Sequence, residues 1–210
     1  MMKKNSPYTA AMTGCAFLYY EFIRILPLLM SNDSVALLKD EILNNKLLQV
    51  NSQTSRQRFI SEFKRRFNSV PIAFWNEFLT LSEKGQRAGL LYVMLKTYKL
   101  VFDFHFNVTI RRWNSVDRTL KLIDLMMEFN EISSRDEFVD SWTDNTKSRC
   151  ASQYLTFLRH SGLIDDKTSE LQAIHLDPSE YKYYINMGEE WFLEACLLYP
   201  FEINDIKAAL

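Results

Sequence analysis

The sequence predicts a mainly α-helical protein, built as a compact multi-helix globule. Hydrophobic residues make up 47% of the chain, and they recur at the three- and four-residue spacing of amphipathic helices. The chain contains only five glycines and five prolines in 210 residues, too few for a turn-rich β protein. This length is sufficient to bury a core, as one large domain or two small ones.

The spacing of apolar residues predicts a series of helices along the whole chain. They cover residues 9–30, 35–44, 55–67, 71–81, 86–113, 116–130, 134–141, 146–161, 178–187 and 189–198. The first helix is expected to bend near Pro27. The fifth is apolar around most of its circumference, which is typical of a central core helix. Residues 1–7 are polar and are expected to be loose.

Start and stop signals justify the individual bounds. Residues that favour helix starts precede the second, sixth and ninth helices: Asp33 or Ser34, Ser115, and Asp177 with Pro178. The pair Lys84-Gly85 is expected to break the chain before the fifth helix, and Pro200 to follow the end of the last one. A short strand is conceivable at residues 171–176, so the fold includes at most a short vestigial β wing.

Residues 134–164 predict a short helix, a tight turn and a longer helix. Ser134 and Glu137 stand at capping-box spacing before the first helix. Short polar side chains at residues 142–145 favour the turn. Gly162 supplies the left-handed stop of the second helix.

The second of these helices has two distinct faces. Its apolar face consists of Cys150, Ala151, Tyr154, Leu155, Phe157 and Leu158. The candidate DNA contacts are the polar residues of the other face and one lysine near the helix start: Lys147, Ser148, Arg149, Ser152, Gln153, Thr156 and Arg159. The polar face carries no carboxylate, and its side chains are of the kind that reach phosphates and base edges. A helix-turn-helix presenting such a face is suited to the major groove, whereas an ordinary amphipathic surface helix is the alternative.

An earlier segment repeats this arrangement. A turn at residues 51–54 precedes a helix whose buried stripe is predicted to be Phe59, Ile60, Phe63 and Phe67. The remaining face is strongly basic, with Arg56, Arg58, Lys64, Arg65 and Arg66 as candidate phosphate contacts. Two helix-turn-helix-like units would give two contacts with a duplex, while a basic solvated helix is the alternative.

Charge is unevenly distributed along the chain, although the formal net charge is only −1. Residues 46–121 contain fourteen Lys or Arg against five acids, and residues 170–210 contain eight acids against two Lys. Such polarity favours one basic flank and one acidic flank. Arg111 and Arg112, at the end of the long fifth helix, are further candidate DNA contacts.

The sequence lacks the signatures of common enzymes and metal sites. His105, His160 and His175 have no metal-ligand spacing, and there is no phosphate loop, nucleophile elbow or H-E-x-x-H motif. We therefore predict no enzyme activity, no cofactor, no metal and no small-molecule substrate. The three distant cysteines suggest reduced core residues of a cytoplasmic protein. The apolar stretch 16–30 is too short and too interrupted by charge to span a membrane.

The segments YTAAMTGCAFLYYEFIRILPLL, NKLLQVNSQTSRQRFISEFKRRF and FVDSWTDNTKSRCASQYLTFLRHSGLID together resemble the BrxA family, in the same order over most of the chain. Members are small proteins encoded in BREX bacteriophage-exclusion loci. The resemblance implies a largely α-helical, non-catalytic protein that binds double-stranded DNA. It also implies partners among the other BREX components, which include an ATPase, a DNA methyltransferase and a phosphatase-like protein.

Two other functions and a domain division complete these predictions. In the first alternative the protein is an adaptor. It would dock onto larger BREX proteins through its acidic C-terminal part and Tyr181, Tyr183 and Tyr184. RNA binding is the second, because a basic helical surface does not distinguish nucleic acids. We expect an N-terminal lobe of residues 1–114 and a C-terminal lobe of residues 115–210, packed as one unit.

Overall fold

A computed structural model describes residues 6–210 of the chain and confirms the mainly helical prediction. The helices are α1 (Tyr19–Met30), α2 (Ser34–Asn44), α3 (Gln53–Phe67), α4 (Ile72–Phe78), α5 (Glu83–Thr97), α6 (Lys99–Phe104), α7 (Ile110–Trp113), α8 (Leu122–Ser133), α9 (Glu137–Asp140), α10 (Asp144–Ser161), α11 (Lys182–Asn186), α12 (Trp191–Ala195) and α13 (Pro200–Ala209). Short 3-10 helices cover Ala11–Gly14 and Pro178–Tyr181, and a π-helical segment, His105–Thr109, joins α6 to α7. The predicted loose segment, residues 1–7, falls largely outside the described residues.

The β content is limited to two isolated bridges in the described part of the chain. One antiparallel bridge joins Ile164 to Leu171, and the other joins Thr119 to Glu170. Neither extends into a strand among residues 6–210. This agrees with the prediction of at most a vestigial wing after the second helix-turn-helix-like unit.

Helix α5 lies at the centre of the core. Every residue from Ala88 to Leu95 is buried, and α5 contacts α3, α4, α6 and α10. Gly89 permits the close approach of α4, because a Cβ there would lie 2.9 Å from Cδ2 of Phe78. Helices α3 and α10, which carry most of the candidate DNA contacts, therefore both pack on this central helix. The division into lobes of residues 1–114 and 115–210 stays a prediction.

The predicted break at Lys84-Gly85 and the continuous helix over 86–113 are wrong. The hydroxyl of Ser82 accepts a hydrogen bond from the Gly85 N–H at 3.1 Å, which starts α5 before both residues. The carboxylate of Glu180 also accepts from the backbone N–H of Ser82, at 2.8 Å. The chain then breaks at Tyr98, whose backbone is extended between α5 and α6.

The predicted helix over 9–30 is wrong over its first part. Only the 3-10 turn Ala11–Gly14 forms there, the chain from Cys15 to Leu18 is not helical, and α1 begins at Tyr19.

Two further helix bounds differ from the prediction. Ser115 does not cap a helix, because its hydroxyl donates to the carbonyls of Arg112 and Asp117, and α8 begins only at Leu122. The helix predicted to end before Pro200 is not the last one, because Pro200 is itself the first residue of a further helix, α13. The start signal at Pro178 is confirmed by the 3-10 turn that leads into α11.

Across residues 6–210, no helix combines the length and the apolar character that a membrane crossing requires.

Candidate nucleic-acid interface

Helix α10 begins and ends at side chains suited to those positions. The hydroxyl of Thr143 accepts from the Thr146 N–H at 3.2 Å, and Gly162, at φ 92°, provides the predicted left-handed stop. The preceding helix, α9, is capped by Asp136, whose carboxylate accepts from the Val139 N–H at 2.9 Å. Ser134 belongs to the end of α8 instead, so its predicted capping role is wrong.

The two faces of α10 are divided as the sequence predicted. The apolar face is buried, apart from the half-buried Leu155. On the polar face, Arg149, Ser152 and Arg159 are exposed and Ser148, Gln153 and Thr156 are half-buried. Neither arginine forms a salt bridge with a carboxylate of the described residues. Lys147 differs from them, because it is buried and its Nζ donates to the Ser133 hydroxyl at 2.9 Å.

A buried polar network fixes the rotation of α10. His105 Nδ1 lies 2.9 Å from the Tyr154 hydroxyl, and His105 Nε2 lies 2.8 Å from the Ala195 carbonyl oxygen. Burial lowers the pKa of His105 to about 4, so the ring is neutral at pH 7. Because Nε2–H must donate to the Ala195 carbonyl, Nδ1 accepts from Tyr154, whose oxygen lies 2.6 Å from the Thr109 hydroxyl. The π-helical segment holds both His105 and Thr109 against α10.

On α3, the expectation of five exposed cations is wrong for two of them. Arg56 is 6% exposed, and its guanidinium donates to the carbonyls of Ile42 at 2.8 Å and Val50 at 2.6 Å. Arg66 is 1% exposed and donates to the carbonyls of Cys15 at 2.6 Å and Ala16 at 2.9 Å. Both side chains satisfy backbone carbonyls that helices and turns leave unpaired, so they hold the fold together.

The other three cations of α3 are at the surface. Arg58, Lys64 and Arg65 are exposed, and Arg65 lies 3.6 Å from a carboxylate oxygen of Glu62. Arg58 and Lys64 have no salt-bridge partner among residues 6–210. These three side chains are available to an external anion.

Helices α3 and α10 approach the same short segment of the chain. Both contact the 3-10 turn Ala11–Gly14. The Cδ of Arg58 lies 3.0 Å from the position of a Cβ on Gly14, and the ring of Phe17 lies 6.3 Å from that of Phe157 on α10. The N-terminal segment therefore links the two cation-bearing helices.

Arg111 and Arg112 lie in a different electrostatic setting. Arg112 pairs with Asp124 and lies 3.9 Å from Asp117. Arg111 is exposed, but it lines a cavity of about 350 Å³ that is also lined by Asp124, Glu128 and Glu131. Carboxylates at this position compete with any phosphate for the two guanidinium groups.

The structure adds cations that the sequence reasoning missed. A crevice of about 410 Å³ beside the end of α10 is lined by Lys84 and Arg87 from α5 together with Arg159 and His160, and also by the carboxylates of Glu83, which pairs with Arg87 at 2.7 Å, and Asp166. Arg87 donates to the His160 carbonyl at 3.3 Å and lies over the Tyr19 ring at 4.4 Å. The sequence holds no local signal for this arrangement, because Arg87 and His160 are 73 positions apart in the chain.

Comparison with known proteins identifies the family. The BrxA family model matches residues 6–186 of the chain. The chain belongs to the BrxA family. The BREX protein BrxA of Bacillus cereus is 21% identical over 166 residues, which cover 79% of this chain and 83% of that relative. The crystal structure of an uncharacterized protein from Magnetospirillum magneticum has a TM-score of 0.73 at 19% identity, covering 91% of this chain and 98% of that one.

BrxA membership supports an accessory role in BREX phage defence. At 19% identity the likeness to the Magnetospirillum structure shows the fold alone. The family match ends at residue 186, so α12 and α13 lie beyond it.

The tyrosine part of the predicted protein-docking interface is wrong. Tyr181 and Tyr184 are at most 1% exposed, and Tyr183 is half-buried. The Tyr184 ring packs 4.4 Å from Phe192, and the Tyr183 ring packs 5.3 Å from Phe74. The tyrosine cluster is part of the hydrophobic core, so it is not a docking surface.

Proposed function

We propose that this BrxA-family protein is a non-catalytic accessory protein of a BREX system that binds double-stranded DNA through α10 and α3. The observation that carries the proposal is the exposed face of α10. Arg149 and Arg159 project from it without a carboxylate partner among the described residues, and Ser152 lies exposed between them. Unpaired guanidinium groups beside hydroxyls on one helix face are suited to phosphates and base edges.

The surroundings of α10 support a helix-turn-helix interpretation. Helix α8 contacts both α9 and α10, and three residues, 141–143, separate α9 from α10. In this interpretation α10 is the recognition helix. The bridge between Ile164 and Leu171 occupies the place of the hairpin in winged helix-turn-helix proteins.

The polar residues of α10 divide by their reach. Arg149 and Arg159 are long enough to contact phosphates or guanine edges, and Gln153 is of the type that pairs with adenine. Ser148, Ser152 and Thr156 are short, so they would contact DNA only where the helix itself lies close to the groove. Lys147 is withdrawn from the proposed contacts because its ammonium is held by Ser133.

Helix α3 would supply the second contact. Arg58, Lys64 and Arg65 are its exposed cations, and α1, α2 and α3 contact one another as a second three-helix unit. The shared contact of α3 and α10 with the turn Ala11–Gly14 supports an arrangement in which both helices meet one duplex. Arg56 and Arg66 do not belong to this interface, because backbone carbonyls already engage them.

The test is a comparison of two double variants that each remove two cations. Arg149→Ala/Arg159→Ala is expected to weaken binding of a fluorescent duplex about tenfold or more, because each lost contact to DNA costs on the order of 1 kcal/mol. Lys182→Ala/Lys207→Ala removes the same charge from the acidic C-terminal part, where Lys207 pairs with Glu190 at the surface. It is expected to leave duplex affinity nearly unchanged.

Parallel titrations with single-stranded DNA and with RNA hairpins separate the nucleic acids. The proposal requires that the duplex binds most tightly and that the α10 variant loses most of this affinity. Equal loss in both double variants would show that only overall charge matters and would remove α10 from the interface. Tighter binding of RNA would replace DNA as the partner.

The proposal also includes other BREX components as protein partners, as the family resemblance implies. No group of three or more His, Cys, Asp or Glu side chains among the described residues is placed to hold a metal ion. The non-catalytic part of the proposal is tested by incubating the purified protein with duplex DNA and ATP and assaying for strand cleavage and phosphate release. Neither product is expected.

A further inference from the structure

A second crevice is formed by residues 110–114 and 194–204, which lie outside α3 and α10. It has a volume of about 420 Å³ and lies between α7 and the segment that connects α12 to α13. Its apolar walls come from Ile110, Trp113, Leu197, Leu198, Pro200 and Ile203. Helix α13, which forms one wall, has no fully buried residue.

A stack of aromatic rings extends the crevice to the surface. The Trp113 ring stacks on Tyr199 at 5.5 Å, and Tyr199 stacks on Phe201 at 5.8 Å. The Arg118 guanidinium lies over the Trp113 ring at 3.9 Å and donates to the Tyr199 hydroxyl at 2.7 Å, which holds these rings in place. Phe201, the outer ring, is 64% exposed. A rigid, exposed aromatic beside an apolar crevice is typical of a protein-docking surface.

The indole of Trp113 adds a second observation. This side chain is 7% exposed, and its Nε1–H is buried without a hydrogen-bond partner in the described structure. Buried donors are nearly always paired in folded proteins. The wall of the crevice therefore contains one buried donor without an acceptor.

The charges around the crevice select the partner. Residues 190–210 contain four acidic side chains and one lysine. Glu194 lines the crevice and is exposed, and Asp205 lies one helical turn after Phe201 on the same face of α13. Neither carboxylate has a salt-bridge partner among residues 6–210. One unpaired carboxylate in the crevice lining, Glu194, and one beside the exposed Phe201, Asp205, attract a cationic partner and repel a nucleic acid.

From this geometry we infer that the crevice binds a peptide segment of a partner protein, in which one large apolar side chain is flanked by Lys or Arg. The apolar side chain enters between Trp113 and Ile203, and the basic residues pair with Glu194 and Asp205. A second copy of this chain is the poorer occupant, because a symmetric contact would bring the same acidic rims together. This inference does not depend on DNA binding, since the crevice shares no residue with α3 or α10.

A random 12-residue peptide display library, selected on the full-length protein, provides the probe. We expect the enriched peptides to share a Leu, Ile, Met or Phe with Lys or Arg within two residues. A synthetic, fluorescein-labelled copy of an enriched peptide is then titrated with the protein and its variants. Phe201→Ser is expected to weaken binding about tenfold, and Glu194→Lys/Asp205→Lys to weaken it further and to remove its salt dependence.

Matched controls come from the end of α4: Leu79, directly after the helix, is 50% exposed, and Glu77 in its last turn is also exposed. Leu79→Ser and Glu77→Lys are expected to leave peptide binding unchanged. Because Phe201 is at the surface, Phe201→Ser should keep the circular dichroism spectrum and the duplex affinity of the wild type.

Three results would overturn the inference. The first is a selection that yields no basic and apolar consensus. The second is a consensus peptide that binds Phe201→Ser as tightly as the wild type. The third is self-association of the wild-type protein in sedimentation, if Phe201→Ser abolishes it and the peptide does not compete with it. The occupant of the crevice would then be a second copy of this chain.

Discussion

Replacement of Arg66 by alanine is expected to lower the stability of the fold and to leave the proposed DNA contacts intact. The guanidinium donates four hydrogen bonds, to the carbonyls of Cys15, Ala16 and Phe17 and to the Tyr98 hydroxyl, at 2.6–3.3 Å. Removing one member of such a buried charged network costs about 3–5 kcal/mol, because its partners stay buried without a donor. At about 2–4 °C per kcal/mol for a chain of this size, Tm is expected to fall by about 6–20 °C.

The neighbouring arginine is the matched control for this prediction. The Arg65 side chain is 45% exposed and lies 3.6 Å from Glu62, so Arg65→Ala is expected to cost at most about 1 kcal/mol. It should instead weaken duplex binding. Urea denaturation and a duplex titration at low temperature, where Arg66→Ala remains folded, measure both properties. An unchanged Tm together with weakened DNA binding for Arg66→Ala would refute the structural assignment of this residue.

Three further predictions concern the core. A Cβ on Gly85 would overlap Oε1 of Glu180, which accepts from the Ser82 N–H, so Gly85→Ala is expected to displace this carboxylate at a cost of about 1 kcal/mol in urea denaturation, and to cost nothing when Glu180 is already alanine; additive effects would contradict this. Burial lowers the pKa of His105 from 6.5 to about 4, so the unfolded chain binds the extra proton between these values. Stability should therefore fall by up to about 3 kcal/mol as the pH decreases through this window, and His105→Asn should flatten the dependence; an equal pH dependence in the variant would contradict it. Burial raises the pKa of the Cys150 thiol to about 12 and that of Cys15 to about 11, so both should react with a chromogenic thiol reagent at pH 8 only as the protein unfolds. Immediate reaction in the folded state would contradict that prediction.

Local patterns in the sequence are sufficient to predict α10 and its two faces. The apolar stripe from Cys150 to Leu158 is buried as predicted, apart from the half-buried Leu155, and Gly162 ends the helix at a positive φ. Both features depend on interactions within a few residues of sequence, namely the helical period and the freedom of glycine in the left-handed region.

Burial of single arginines is not predictable in the same way. Position on the helix gives no means of separating Arg66 from Arg65, because the partners of Arg66 are carbonyls about 50 residues earlier in the chain. Those carbonyls are available only because the chain between Cys15 and Leu18 is not helical, whereas the sequence predicted one continuous helix over 9–30. The same holds for Arg56, whose partners lie in the end of α2 and the following loop.

Long-range contacts also explain the errors in helix bounds. Helix α5 starts at Glu83 with support from Glu180, a residue almost 100 positions later. No local pattern contains that carboxylate. The sequence therefore predicts Lys84 in a chain break. It gives no indication that Lys84 and Arg159 line the same crevice beside the end of α10.

The salt dependence of duplex affinity tests the central claim most directly. If Arg149 and Arg159 each neutralise one phosphate, the slope of log K against log salt should be smaller in magnitude by about 1.8 in the Arg149→Ala/Arg159→Ala variant, at about 0.9 per phosphate. The Lys182→Ala/Lys207→Ala variant should keep the wild-type slope. An α10 variant with the wild-type slope and affinity would contradict the account, because the exposed face of α10 would then make no contact with DNA.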